Sequence, residues 1–386
     1  MDKSLTIRNG NTLLPDGTIS RCDVRIENGI IREIEQTLTA GTEFDASGAY
    51  VLPGLIDLHT HGIGYESTSL SSLADLAELE AARGATTFYP TFFASPEEIA
   101  EQMRRHRSET DELRQVPQVS GFRLESPYLH HAGGGLSENT APITRETTDM
   151  LLDAGGGHIR IWDISPELPG AVQTTGCLSA KGIVVSMAHT YATIEQARAA
   201  VDAGLRLVTH LFDTFEAPVS DDSGVYPCGL VDYLLVEDRV NCEIIGDGTH
   251  VPSLLVEKAF RCKTGDRLVF VTDSNVGAGL PAGKVTLPGG WGDAYVDGPN
   301  NGVRMIDRNM DLSGSALTPI DAFRNAIRLF GKSMAAASKI CSRTPAALMG
   351  LNKGDLSPGK DADIIILSPE LDLLCTISDG RMIYRK

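Results

Sequence analysis

The chain has 386 residues, 42% hydrophobic and 22% charged, a globular composition long enough for one α/β barrel with a small added domain. Its formal net charge of −17 argues against nucleic acid or an anionic membrane surface as a partner. The seven cysteines (Cys22, Cys177, Cys228, Cys242, Cys262, Cys341 and Cys375) are scattered, odd in number and free of CxxC pairs. That pattern fits neither a disulfide framework nor a thiolate zinc site, and it suits a reducing compartment.

Residues 1–50 read as short strands and tight turns: LTIRNGNTLL and CDVRIENGIIREI are β-rich and broken by NG, DG and SG dipeptides. They carry neither a basic leader followed by an apolar core nor a bilayer-length apolar run, and no such run occurs later. The expectation is a cytoplasmic protein with no membrane partner. The helical pattern LADLAELEAARG stops at Gly84, and ATTFYPTFF then predicts a strand. VSGFRLES, HIRIWDISPE, GIVVSMAHT, LRLVTHLF, VNCEIIGDGTH and RLVFVTDSN follow as strands, with helical text such as TIEQARAAVDAG between several. Segment 211–235 is acidic and irregular and predicts a long loop. The chain end, ADIIILSPELDLLCTISDGRMIYRK, returns to the texture of the first fifty residues. About eight strand–helix units predict an α/β fold, a (β/α)8 TIM barrel over 51–345. The β-rich ends, 1–50 and 346–386, predict one small β-sandwich domain.

The predicted barrel strands share a feature: an apolar body ending in a residue suited to chemistry. Those residues are His59 and His61, Glu125, His189, His210, His250 and Asp273. In a parallel barrel all strand C-termini face one rim, where such enzymes hold their active sites. One strand-end histidine alone is more often a capping or core residue. Here five of the nine histidines occupy such ends, the others being His106, His130, His131 and His158. The two-residue period of a strand puts His59 and His61 on one face, able to chelate one ion. Imidazole and carboxylate donors without thiolates favour zinc, with iron or manganese as alternatives. A carboxylate such as Asp273 beside a metal-bound water can take its proton.

PGLIDLHTHG (53–62), LESP (124–127), VSMAHTYATIEQARAAVDAG (185–204), VTHLF (208–212), IGDGTH (245–250), VTD (271–273) and GDLSPGKDADIIIL (354–367) together resemble the amidohydrolase superfamily. More closely, they are similar to the N-acetylglucosamine-6-phosphate deacetylases, in the right order over nearly the whole chain. The resemblance implies one or two divalent ions, with His59 and His61 at one site. Glu125, His189 and His210 would serve the other, Glu125 being able to bridge. It further implies Asp273 as general base and acid, His250 as a hydrogen-bond donor to the scissile carbonyl and a substrate contact, and a homodimer. The implied reaction is removal of an acetyl group from an N-acetylated amino sugar, a small-molecule substrate.

The chain departs from that pattern near the substrate. Ser126 stands where the family has glycine, and Asp213-Thr214 where it has Asn-Ala, positions that contact the sugar phosphate in the family. The family also places a histidine and an arginine from two loops on the substrate, yet between Asp213 and His250 the only basic residue here is Arg239. His130, His131 and Gly133-Gly134-Gly135 offer either an alternative anion site or a flexible lid. Asp213 reads either as a helix N-cap or turn residue, or as a contact to substrate hydroxyls or a cationic group. A deacylase or deaminase acting on an unphosphorylated, amine-bearing substrate is therefore the alternative reading.

Overall fold

The computed structural model describes residues 4–38, 41–110, 116–134, 137–220, 222–263 and 265–386. Eight parallel strands form the centre: β1 Leu55–Thr60, β2 Ala85–Phe92, β3 Phe122–Leu124, β4 Ile159–Ile164, β5 Val184–Met187, β6 Leu207–Val208, β7 Asn241–Ile245 and β8 Leu268–Val271. Each pairs with the next in chain order, from β1 to β8. Helices alternate with most of them, as the apolar periodicity predicts. The helix Ile194–Ala203, for example, begins at a capping box in which Thr193 and Gln196 satisfy each other's backbone amides.

The barrel closes between β8 and β1 just past the end of the ladder. Thr60 pairs with Ser274, Asp273 N donates to His59 O at 2.9 Å, and His61 N donates to Ser274 O at 2.8 Å. Below this, the buried Asp57 carboxylate accepts from Thr272 Oγ1 at 2.6 Å and from Thr272 N at 3.2 Å. Burial pushes the Asp57 carboxyl up to about 6 despite those donors. The TIM barrel is thus nearly closed, and the closing contacts sit among the residues of the HTH segment and the VTD segment.

Both chain ends enter one further sheet. Its order is Arg381–Arg385, Leu373–Ser378, Ile364–Leu367, Tyr50–Pro53, Ser4–Leu13, Ile19–Glu27 and Ile30–Glu35, with Thr42–Asp45 beside Ser4–Leu13. Ile7, Val24, Ile26, Ile31, Val51, Ile364, Ile366 and Ile377 share a core of its own. Leu52, Ile365, Leu367 and Leu373 face the other way and join the main barrel core. Two buried faces explain why IIIL is continuously apolar rather than alternating.

A four-stranded antiparallel sheet follows β8, made of Gly283–Leu287, Gly292–Val296, Val303–Met305 and Asp311–Leu312. The sequence reading did not anticipate it. Its strands are two to five residues long, too short for a period-two signal. It packs around Val276, Leu287, Ala294, Val296, Val303 and Met305. The expected long loop over 211–235 is only partly correct: its described residues up to Gly229 lie in no helix or strand, but the helix Leu230–Val236 follows.

Candidate active site

The strand ends bring the predicted residues together. His59 and His61 lie at the end of β1 with their Nε2 atoms 3.1 Å apart. Glu125, just past β3, stands between two pairs of histidines. Its Oε1 is 3.1 Å from both His189 Nε2 and His210 Nε2. Its Oε2 is 3.3 Å from His59 Nε2 and 3.0 Å from His61 Nε2. Asp273 faces the first pair, with Oδ1 at 3.3 Å from His59 Nε2 and 3.4 Å from His61 Nε2. All six side chains are buried or nearly so.

The backbone is bent to achieve this convergence. His189, His210 and Asp273 adopt left-handed conformations with φ of 45°, 26° and 47°, and Phe212 and Thr214 do so at 80° and 60°. Such residues cost about 1–3 kcal/mol each and gather at functional sites.

The donors fit a divalent cation. His59, Glu125 and His210 form one group whose ligand atoms lie within 4.8 Å of one another, and His59, His61 and Asp273 form a second. The chemistry is imidazole and carboxylate, with no thiolate. Without an ion the array holds protons. Burial disfavours charge on the imidazoles, yet hydrogen bonds and charge from Glu125 and Asp273 hold His61 up to about 10. For His210, burial is outweighed by Glu125 and Asp213, again up to about 10. Burial likewise opposes the Glu125 and Asp273 charges, but the surrounding histidines keep both well below the usual carboxylate range. A cation would take the place of those protons.

His250 lies on the loop after β7. Its Nδ1 donates to Asp247 Oδ2 at 2.6 Å, while its backbone N donates to Asp247 Oδ1 at 2.9 Å. Burial lowers the His250 pKa, but the Asp247 hydrogen bond and charge more than offset it, raising it above the usual histidine value.

Several residues at the site were missed by the sequence reading. Arg123 is fully buried beneath the cluster. It donates to Glu243 Oε1 at 2.6 Å, Asp163 Oδ2 at 2.9 Å, Thr209 Oγ1 at 2.9 Å and Leu58 O at 3.0 Å. One guanidinium thereby ties β1, β3, β4 and β7 to the turn after β6. Glu243 Oε2 lies 3.8 Å from His59 Nδ1. The alternation in FRLE, with Arg123 two positions before Glu125, was the available clue.

The remaining residues singled out in the sequence have defined surroundings. Asp213 is not a helix N-cap, for its amide closes a turn onto His210 O at 3.0 Å and, among the described residues, the next helix is Leu230–Val236. Its carboxylate is 3.8 Å from His210 Nδ1 and its side chain is 36% exposed. Thr214 Oγ1 is buried with no hydrogen-bond partner among the described residues. His131 stacks on Tyr191 with ring centroids 4.7 Å apart. His130 Nδ1 lies 3.2 Å from Glu167 Oε1. Gly133 lies on the ligand side: a Cβ there would stand 2.7 Å from His189 Cε1. Gly135, the last of the glycine run, falls outside the described residues. Arg239 is engaged by Asp202 and Glu237, both at 2.7 Å.

A TIM barrel with a histidine–carboxylate cluster on its C-terminal rim and a strand-rich domain at its termini defines a class of metal-dependent hydrolases. Residues 50–383 match the model of the amidohydrolase family, and the chain belongs to that family. Among curated relatives, it is 29% identical to an N-acetylglucosamine-6-phosphate deacetylase of Lysinibacillus sphaericus, over 98% of this chain and 97% of that one. It is also 29% identical to an N-acetylgalactosamine-6-phosphate deacetylase of Escherichia coli O157:H7, over 95% of each chain. Among solved structures, N-acetylglucosamine-6-phosphate deacetylase from Thermotoga maritima superposes with a TM-score of 0.85 at 25% identity, covering 99% of this chain and 100% of that one. A variant of the Mycobacterium smegmatis enzyme, solved with N-acetyl-D-glucosamine-6-phosphate, gives 0.84 at 26% identity and covers 99% of each chain. The chain is a hydrolase of the type that acts on amide bonds, similar along its whole length to these deacetylases.

Proposed function

We propose that this protein removes the acetyl group from an N-acetylated amino sugar. The observation that carries the reading is the division of the Glu125 carboxylate, one oxygen toward His189 and His210 and the other toward His59 and His61, with Asp273 facing the second pair. The names of the relatives supply the acetamide and the amino sugar.

His59, His61, Glu125, His189 and His210 are the residues that would hold one or two divalent ions, with zinc the proposed metal because the donors are imidazole and carboxylate. When bound, such an ion supplies Lewis-acid polarisation of the amide carbonyl and acidification of a water. Asp273 accepts a proton from the attacking water and returns it to the departing nitrogen, which cannot leave as an anion. The His250 imidazolium, its Nδ1 held by Asp247, donates from Nε2 to the carbonyl oxygen as negative charge grows there. Asp213 and Thr214 face the remainder of the substrate.

The reading extends to a catalytic unit over 51–345 with the terminal β domain from 1–50 and 346–386, and to a homodimer working in the cytoplasm. Exposed free thiols at Cys177, Cys228 and Cys262 favour a reducing compartment. No described helix is long and apolar enough to cross a membrane. The test is elemental analysis with acetate release from N-acetylated amino sugars. Asp273→Asn is expected to keep its metal and lose at least about a hundredfold in kcat, the loss typical of a missing general base. A metal-free wild-type protein indifferent to chelators, or an Asp273→Asn variant with near-native kcat, would refute it.

A further inference from the structure

The rim carries a charge pattern that bears on what the amino sugar has attached to it. The loops following β1 to β7 cover 61–72, 93–95, 125–144, 165–170, 188–193, 209–229 and 246–252, and none of these seven contains a lysine or an arginine. The segment after β8 has Lys284, Arg304 and Arg308, all within the antiparallel sheet region. Lys284 Nζ is bound to Asp293 at 2.6 Å, Arg304 Nη1 to the Met310 carbonyl at 3.1 Å, and Arg308 is solvent-exposed.

The two mouth histidines do not replace those cations. His130 is paired with Glu167, whose carboxylate also accepts from Tyr191 N at 2.7 Å. His131 lies flat on Tyr191, and its Nδ1 accepts from Gly133 N at 3.3 Å, the neutral tautomer. Beside the histidine cluster stand the partly exposed Asp213 carboxylate, 3.8 Å from His210, and the buried Thr214 hydroxyl, which has no partner among the described residues. A carboxylate only accepts hydrogen bonds, and a hydroxyl does both. Together they suit sugar hydroxyls or an ammonium, and a phosphate dianion meets like charge at Asp213 with no lysine or arginine on those seven loops to offset it.

Building on the deacetylase reading above, we infer that the substrate is an N-acetylated amino sugar without a phosphate group, and that Asp213 and Thr214 are its specificity-determining contacts. The relatives' names specify 6-phosphates; this rim is built for a neutral or amine-bearing analogue of the same acetamide chemistry.

The test measures acetate release by the zinc-loaded full chain from N-acetylglucosamine and from N-acetylglucosamine 6-phosphate, with wild type, Asp213→Asn and Asp213→Lys. Wild type is expected to favour the unphosphorylated sugar by at least about tenfold in kcat/KM, through KM, as sugar contacts away from the reacting carbonyl require. Asp213→Asn is expected to keep its metal content and raise KM for the neutral sugar. Asp213→Lys is expected to shift the preference toward the phosphorylated one. A wild-type preference for the 6-phosphate, or the absence of a tenfold preference for the neutral sugar, overturns this inference and leaves the deacetylase reading standing. Acetate release from neither sugar by a fully metallated protein overturns both.

Discussion

Asp247 and His250 show how a single pair sets a protonation state. Because the Asp247 carboxylate raises the His250 pKa, the imidazolium exists below that raised value and is lost as pH rises through it. Activity that needs His250 as a donor therefore falls on the alkaline side. Asp247→Asn removes the charge that sustains the imidazolium, so the alkaline limb of kcat/KM is expected to move to lower pH with metal content unchanged. A limb that stays in place would show that His250 acts as a neutral residue. His250 was legible as a site residue because it ends the IGDGTH run, but its partner was not. An aspartate three positions away is an ordinary loop residue until the turn folds it back onto the ring.

At the scale of elements, the barrel strands act as fixed arms and the loops as covers. Arg123 joins β3 to its neighbours from inside. Replacing it by methionine leaves Glu243 and Asp163 buried without their cation, which is expected to cost about 3–5 kcal/mol of stability. The denaturation midpoint is expected to fall accordingly. The loop after β3 covers the site from outside. Gly133 has φ of +57° and sits against the His189 ring, so Gly133→Ala meets both backbone strain and a clash. The expected result is a loss of about tenfold in metal affinity, with little change in overall melting temperature. An unaltered affinity would mean that the loop yields. Strand positions were readable from apolar runs ending in one polar residue. The antiparallel sheet after β8 was not, since its short strands are held by turns and by contacts with Val276 and Ala316 from the flanking segments.

At the scale of the whole molecule, metal binding and protonation are linked. His61 and His210 are held up to about 10 in the protein without an ion, so they are charged at neutral pH and must lose protons to become ligands. Metal binding near pH 7 is therefore expected to release protons, and affinity to weaken as the solution becomes more acidic. Calorimetric titration in buffers of different ionisation enthalpy reads this directly, and a binding enthalpy independent of the buffer would exclude it. Chelation is expected to lower the melting temperature, because an ion that binds only the folded chain stabilises it by mass action. The proposed ligands lie at the ends of β1, β3, β5 and β6, so an ion would tie together chain segments separated by up to 151 positions, from His59 to His210.

By itself the sequence determined the alternation of strands and helices, the pairing of the two chain ends in a β domain, and the strand-end residues that meet at the rim. Apolar periodicity and residue type are local properties, and a parallel barrel carries every strand end to the same side. Tertiary structure alone decided how those residues divide, with Glu125 between two histidine pairs and Asp273 against one. It also decided that Arg123 lies buried beneath them and that Asp213 closes a turn onto His210 rather than capping a helix. These depend on distances between residues far apart in the chain and on left-handed turns at His189, His210 and Asp273. No local pattern encodes them, because the surrounding fold holds those conformations in place.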